Sequence, residues 1–131
     1  MADEFIGELR VNVTRSTVVR YAGASTDFNE IHFSDRHARA IGLPGVLAHG
    51  MWTMGAGLKV VTDWVKDPSR IRRYSVRFTR PVAVPDTDEG VDVVYTGTVT
   101  EINDGVATVN LTATCGGDAL LGAAKVEVRV D

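Results

Sequence analysis

One apolar stretch, residues 48–65, lies near the middle of this 131-residue chain and dictates what must surround it. Met51, Met54, Leu58, Val61 and Val65 recur at spacings of three and four, the period of a helix. Within residues 50–65 only Thr53, Lys59, Thr62 and Asp63 interrupt the apolar character, and a helix apolar on most sides has to be wrapped by protein. The stretch is too short and too polar to span a bilayer. Gly55, Ala56 and Gly57 weaken its middle, which predicts close approach of another backbone there. Asp67-Pro68 ends it. Everything beyond reads as strand: residues 71–79, 91–102, 106–114 and 119–130, with turn signals at Asn103-Asp104-Gly105 and Gly116-Gly117-Asp118.

Upstream, residues 9–14 alternate as a short strand. Ser16 or Thr17 caps a short helix through Val18, Val19 and Tyr21 toward Gly23. Residues 24–44 are polar and irregular, with a helical turn over 34–40 that Ser34 caps and that Gly42 and Pro44 stop. The order is strand, helical insertion, long central helix, four antiparallel strands. A curved antiparallel sheet wrapped around one long helix satisfies it, so the expected class is α+β in a single domain, 1–131. Such a sheet leaves an edge that a second copy can pair with, so a two-fold dimer is expected.

Charge and cysteine content narrow the function. The net charge is −3 and no basic cluster stands out beyond Arg70, Arg72, Arg73, Arg77 and Arg80, so nucleic acid is not an expected partner. Arg70, Arg72 and Arg80 share strand parity with Tyr74, which reads as a solvated strand face. Cys115 is the only cysteine, so no intrachain disulfide forms. Its place in an alternating strand makes it a packed residue rather than a nucleophile. The acidic, polar opening MADEFIGELR is no signal peptide, and a cytoplasmic, non-membrane protein is expected.

The chemistry concentrates in Tyr21 to His32 and Leu43 to Gly55. Asp27 precedes His32 by five residues. On a helix the two side chains would point about 140° apart; on a strand they would sit roughly 16 Å apart on opposite faces. They converge only if residues 26–31 form an irregular turn, which Asp27 and Asn29 favour by bonding their own backbone. Gly50 stands at the mouth of the central helix, where a backbone N–H has no intrahelical partner and can meet a negative oxygen. Taken alone, an Asp/His pair is most often an ordinary turn beside a surface histidine. His49 adjoins Gly50 and has a plain role structuring the loop before the helix; His37 is expected exposed on the short helix. Three histidines and one cysteine form no zinc pattern, and no dinucleotide fingerprint follows a strand, so neither metal nor redox cofactor is expected. Trp52 and Trp64 read as core or dimer interface.

These stretches together resemble the MaoC-like (R)-specific enoyl hydratases and 3-hydroxyacyl-thioester dehydratases. The pattern Y-x-G-x-S-G-D-x-N-P-I-H stands here as Tyr21, Gly23, Ser25, Thr26, Asp27, Asn29, Glu30, Ile31 and His32. An A-H-G-M core matches Ala48, His49, Gly50 and Met51, and V-R-F-x-x-P-V matches Val76, Arg77, Phe78, Pro81 and Val82. The chain is most similar to the single-hot-dog dehydratase subunits of bacterial fatty-acid elongation, especially the actinobacterial long-chain type.

The resemblance implies a hot-dog fold and a hydro-lyase acting on an acyl thioester of coenzyme A or acyl carrier protein. Asp27 and His32 would hold the water added or lost, and Gly50 would bind the thioester oxygen. Asn29, Ala48, His49, Met51 and Trp52 would lie against the substrate, Trp52 as an acyl-tunnel wall. The arginine run becomes a landing patch for an acidic carrier protein or coenzyme A phosphates. The partner would be a second copy or another hot-dog subunit. A thioesterase on the same fold, or a tunnel-shaping non-catalytic subunit, are the alternatives. Thr26 replaces a glycine, and would strain the turn if that position needs a positive φ. Glu30 replaces a proline and adds a charge near the pair. Leu58 stands where some relatives carry a serine that supports the aspartate, with Thr53 a possible substitute.

Overall fold

A computed structural model describes residues 3–131. The chain begins with strand β1 (Glu4–Val13), then helix α1 (Arg15–Ser25), a 3-10 turn (Glu30–His32) and helix α2 (Asp35–Ala40). The central helix comes in two segments, α3 (Gly50–Gly57) and α4 (Lys59–Val65). A 3-10 turn (Pro68–Arg70) leads into β2 (Ile71–Phe78), β3 (Val91–Asn103), β4 (Val106–Cys115), the short β5 (Asp118–Ala119) and β6 (Leu121–Arg129). The sheet order is β1-β3-β4-β6-β2, antiparallel throughout, with β5 paired to β4. Its inner face supplies Val93, Tyr95, Val109, Val126 and Val128, which close over Val60 and Val61 of α4. This is the hot-dog arrangement. Among the described residues no helix is long and apolar enough to cross a membrane.

The hairpin at 103–105 forms because Asp104 (φ 53°) and Gly105 (φ 75°) take the left-handed conformations that a two-residue turn between twisted strands requires. Cys115 packs half-buried against the core, and burial pushes its thiol pKa up. Trp52 and Trp64 also pack against the core.

Five expectations need correction. The first strand begins at Glu4 rather than at residue 9, because β3 is long enough to pair with it as far as Val99; a bulge between Phe5 and Gly7 hides the alternation. The cap of α1 is Thr14, whose N–H donates to Thr17 Oγ1 at 3.1 Å, not Ser16 or Thr17. The central helix starts at Gly50 and is interrupted at Leu58. There the N–H of Leu58 donates to Gly55 O, while Met54 O accepts the Tyr74 hydroxyl at 2.6 Å. In the middle of the helix the close approach is at Gly57 and not at Gly55, and against a ring rather than a backbone: a Cβ on Gly57 would lie 2.7 Å from Tyr95. Finally, bulges in β2 between Ile71 and Arg73 and between Ser75 and Arg77 break the simple parity. Tyr74 turns to the helix while Arg72, Arg73 and Arg77 stay exposed.

Candidate active site

The segment between α1 and α3 is shaped by side chains that bond nearby backbone. Helix α1 ends on Thr26 in the left-handed conformation (φ 60°, ψ 19°), so this position does take the positive φ that suits glycine. The Asp27 N–H donates to Ser25 Oγ (3.2 Å), and Asp27 Oδ1 accepts the Asn29 N–H (3.3 Å). Asn29 Oδ1 then accepts the Ile31 N–H (3.1 Å), capping the 3-10 turn that carries His32. Asn29 thus serves the backbone. Ser34 caps α2 by accepting the His37 N–H, as expected. Glu30 directs its carboxylate to His37 (3.3 Å), away from His32.

Asp35 locks this segment to the body. Its carboxylate accepts the Val46 N–H (2.9 Å) and pairs with Arg15 (2.8 Å), whose Nε also donates to Val84 O. The Val46 amide first, and the Arg15 guanidinium second, hold the Asp35 pKa below its ordinary range.

Asp27 and His32 converge. His32 is buried, 8% exposed, and its Nδ1–H donates to Leu47 O at 2.7 Å. A carbonyl only accepts, so Nδ1 carries a proton, and whenever the ring is neutral its lone pair is at Nε2. Nε2 lies 3.8 Å from Asp27 Oδ2, on a carboxylate whose side chain is half exposed. Leu47 returns the contact, its N–H donating to Ile31 O.

His49 is the N-cap residue of α3 and is 2% exposed. Its ring stacks on His32 with centroids 3.7 Å apart and planes 18° off parallel, while Tyr21 meets it edge-on at 4.8 Å. His49 Nε2 donates to the backbone carbonyl of Asp27 (3.0 Å), leaving Nδ1 buried without a partner. An unpaired buried polar atom costs about 1–3 kcal/mol. Asp27, His32 and His49 each bring one potential ligand atom within 4.8 Å of the others. With His49 Nε2 donating and His32 Nδ1 bound to Leu47, the lone pairs on the open side are those of Asp27 and His32 Nε2. That set suits a proton or a water better than a closed metal shell.

Gly50 is the first residue of α3, where the N–H has no intrahelical acceptor. It lines a cavity of about 220 Å³ with Ala48, Thr53, Phe78, Thr79, Arg80 and Pro81. A Cβ on Gly50 would lie 3.2 Å from the Phe78 ring.

Residues 2–115 match the family described as MaoC like domain. The chain belongs to the MaoC-like dehydratase family. It is 39% identical over 77 residues to 3-hydroxyacyl-thioester dehydratase X of Mycobacterium tuberculosis, covering 59% of this chain and 26% of that protein. It is 29% identical over 104 residues to the 3-oxo-4,17-pregnadiene-20-carboxyl-CoA hydratase beta subunit of the same organism, covering 79% of this chain and 77% of that one. Among solved structures, a MaoC-like dehydratase superposes with a TM-score of 0.94 at 32% identity, over all of this chain and 41% of that one. One chain of the ChsH1-ChsH2 complex from M. tuberculosis superposes at 0.84 with 25% identity, over all of this chain and 98% of that one. The chain therefore spans about a quarter of the first of these curated relatives.

Within this MaoC-like domain the structure gathers Asp27 and His32, and sets Gly50 beside the cavity. Of the residues expected against substrate, Ala48 lines the cavity and Met51 is exposed. Trp52 packs against the core and His49 is buried beneath His32. Thr53 lines the cavity, but its hydroxyl donates to His49 O (3.4 Å), not to Asp27; Leu58 packs against the core. Sequence reasoning gave no role to Phe78, Thr79 and Pro81, although the V-R-F-x-x-P-V match ran through them; Arg80 it had placed in the arginine run. Nor did it single out the Leu47 carbonyl, for which a backbone acceptor leaves no sequence signal.

Proposed function

We propose that this domain is an (R)-specific hydratase/dehydratase interconverting 3-hydroxyacyl and trans-2-enoyl thioesters. The observation that carries the reading is the His32 tautomer: Nδ1–H held on Leu47 O, Nε2 free and facing Asp27 beside the start of α3. In dehydration, His32 Nε2 takes the α-proton of the 3-hydroxyacyl thioester. The negative charge that develops on the thioester oxygen is met by the Gly50 N–H at the positive end of α3. The hydroxyl leaves as water with a proton delivered from the Asp27 side, directly or through a shared water. The 3.8 Å gap between Oδ2 and Nε2 leaves the two groups able to share that water and return the proton from His32. Hydration is the reverse path. No redox cofactor enters this chemistry.

The substrate is carried on coenzyme A or an acyl carrier protein, with Arg80 at the cavity rim and the exposed Arg72, Arg73 and Arg77 next along the strand to meet its anionic part. A second hot-dog subunit covers the exposed Phe28, Phe33, Met51 and Phe78 around the site.

The test is hydration of crotonyl-coenzyme A, followed by loss of enoyl-thioester absorbance with chiral analysis of the product. Wild type yields the (R)-alcohol, and Asp27→Asn and His32→Ala each fall by about 10²–10⁴-fold in kcat. Release of free thiol instead would make the domain a thioesterase. Folded protein silent on short and long enoyl thioesters would point to a missing partner subunit or an unusual acyl group.

A further inference from the structure

The MaoC-like chemistry proposed above uses one face of His32. The other face is covered by His49, which has no surface to offer a substrate. We propose that His49 is a positioning residue that fixes both members of the acid/base pair at once: its ring is the platform for His32, and its Nε2–H is the peg that holds the main chain of Asp27.

Two independent contacts carry this. The stack, 3.7 Å between centroids and 18° between planes, restricts rotation of the His32 ring about its own axis. The Nδ1–H bond to Leu47 fixes the remaining freedom. The second contact, 3.0 Å from His49 Nε2 to Asp27 O, fixes the very residue that faces His32 Nε2 across 3.8 Å. Asp27 needs such a peg, because its turn hangs from the left-handed Thr26 and its own side chain is half exposed. Neither Thr53 nor Leu58 holds it: the Thr53 hydroxyl is turned to His49 O, and Leu58 is apolar and packs against the core.

The orphaned Nδ1 argues the same way. A buried phenylalanine or leucine would fill the space under His32 with no unpaired nitrogen, yet the fold carries one here. What those residues lack is the donor to Asp27 O. Tyr21, the first residue of the hallmark stretch, meets His49 edge-on at 4.8 Å and continues the column of rings from α1 through the cap of α3 to His32.

Two variants separate the contacts. His49→Phe keeps a flat ring and loses the donor; His49→Gln keeps a donor and loses the ring. Each is expected to lower kcat for crotonyl-coenzyme A hydration by about tenfold, with KM within twofold, since His49 acts through groups that do the chemistry. Nitrogen-detected imidazole spectra give a readout independent of activity. In wild type His32 is held in the Nδ1–H form; His49→Phe, which keeps the ring platform, retains that form, and His49→Gln, which loses it, lets the two tautomers mix. An unchanged kcat with an unchanged His32 tautomer overturns the proposal. A raised KM with kcat intact overturns it too, by placing His49 against substrate. If both variants fail to fold, Tyr21→Leu reads the column from its far end, and collapse of that variant as well makes His49 a structural residue only. A wild type inactive on every thioester but with a locked His32 tautomer that His49→Gln releases would sink the hydratase reading and leave the positioning role standing.

Discussion

Residues 91–129 and residues 26–50 of this chain are held in opposite ways. The first region is three long paired strands, where Val93, Val109, Val126 and Val128 are all fully buried and each supports the others. Losing one contact leaves many. The second region is a string of single bonds. Asn29 caps one turn, Ser34 caps one helix, Asp35 ties one amide, and Leu47 O holds one imidazole. The scaffold is redundant and the site is not. Substitutions in the first region should therefore move stability and spare turnover, whereas those in the second should move turnover where they touch Asp27, His32 or Gly50 and stability where they touch only the turns that hold them.

The sharpest way to break that contrast is Gly50→Pro against Gly50→Ala. Both add a Cβ 3.2 Å from the Phe78 ring, but only proline removes the N–H. The first turn of a helix accepts proline, and His49 already has the extended backbone (ψ 135°) that a following proline demands. Gly50→Pro should fold with a melting temperature close to that of Gly50→Ala. Its kcat for crotonyl-coenzyme A should be lower by about 10²–10³-fold, the effect of one lost oxyanion donor. Equal kcat in the two variants would take the Gly50 amide out of the mechanism.

Gly57→Ala is the counterpart on the scaffold. The new methyl would lie 2.7 and 2.8 Å from two Tyr95 ring atoms. That ring is fully buried and its hydroxyl donates to Thr53 O at 2.8 Å, so it has little room to give. Overpacking of about 1–3 kcal/mol outweighs the roughly 1 kcal/mol gained in helix propensity. A urea titration should show a net loss of about 1 kcal/mol, with kcat per folded molecule unchanged.

The same contrast explains what could be read in the sequence. Alternation, the Asp104-Gly105 turn and the apolar period of the central helix each repeat a signal over many residues, so the strand order and the hot-dog wrap were legible. Asp27, His32 and Gly50 stood out by residue type and spacing but took their roles from the resemblance; what the structure adds is that Asp27 and His32 come within 3.8 Å. The interruption at Leu58 was not legible, because it depends on a hydroxyl from Tyr74, twenty residues from Met54, competing for a helix carbonyl. The Leu47 carbonyl and the His49 stack were hidden for the same reason: each is a tertiary contact made once, by a group that every residue has or that has several plain uses.

Thr26→Gly should stabilise the irregular region without touching its chemistry. A β-branched residue in the left-handed conformation costs about 1–2 kcal/mol, and glycine returns part of that through unfolded-state entropy, for a net gain of about 0.5–1 kcal/mol. Its hydroxyl bonds only the Ser25 carbonyl next to it, so little else is lost. A higher urea midpoint at equal kcat is the expected result; a fall in kcat would show that Thr26 helps aim Asp27.

The smallest effect is the acid sensitivity of Asp35. Its folded pKa lies below the ordinary value of 3.8, held down by the Val46 amide and then by Arg15. A carboxyl depressed in the folded state binds fewer protons there than when unfolded. Its contribution is therefore complete above the unfolded value and is lost as pH falls from there through the folded value. Asp35→Asn removes the contribution at every pH, while all other carboxylates are common to both proteins and cancel in the difference. The variant should be less stable than wild type at pH 6, and the gap between their urea midpoints should close as the pH drops below about 3.8. A gap that stays constant down to pH 2.5 would mean that Asp35 holds residues 26–50 in place by shape and hydrogen-bond geometry rather than by charge.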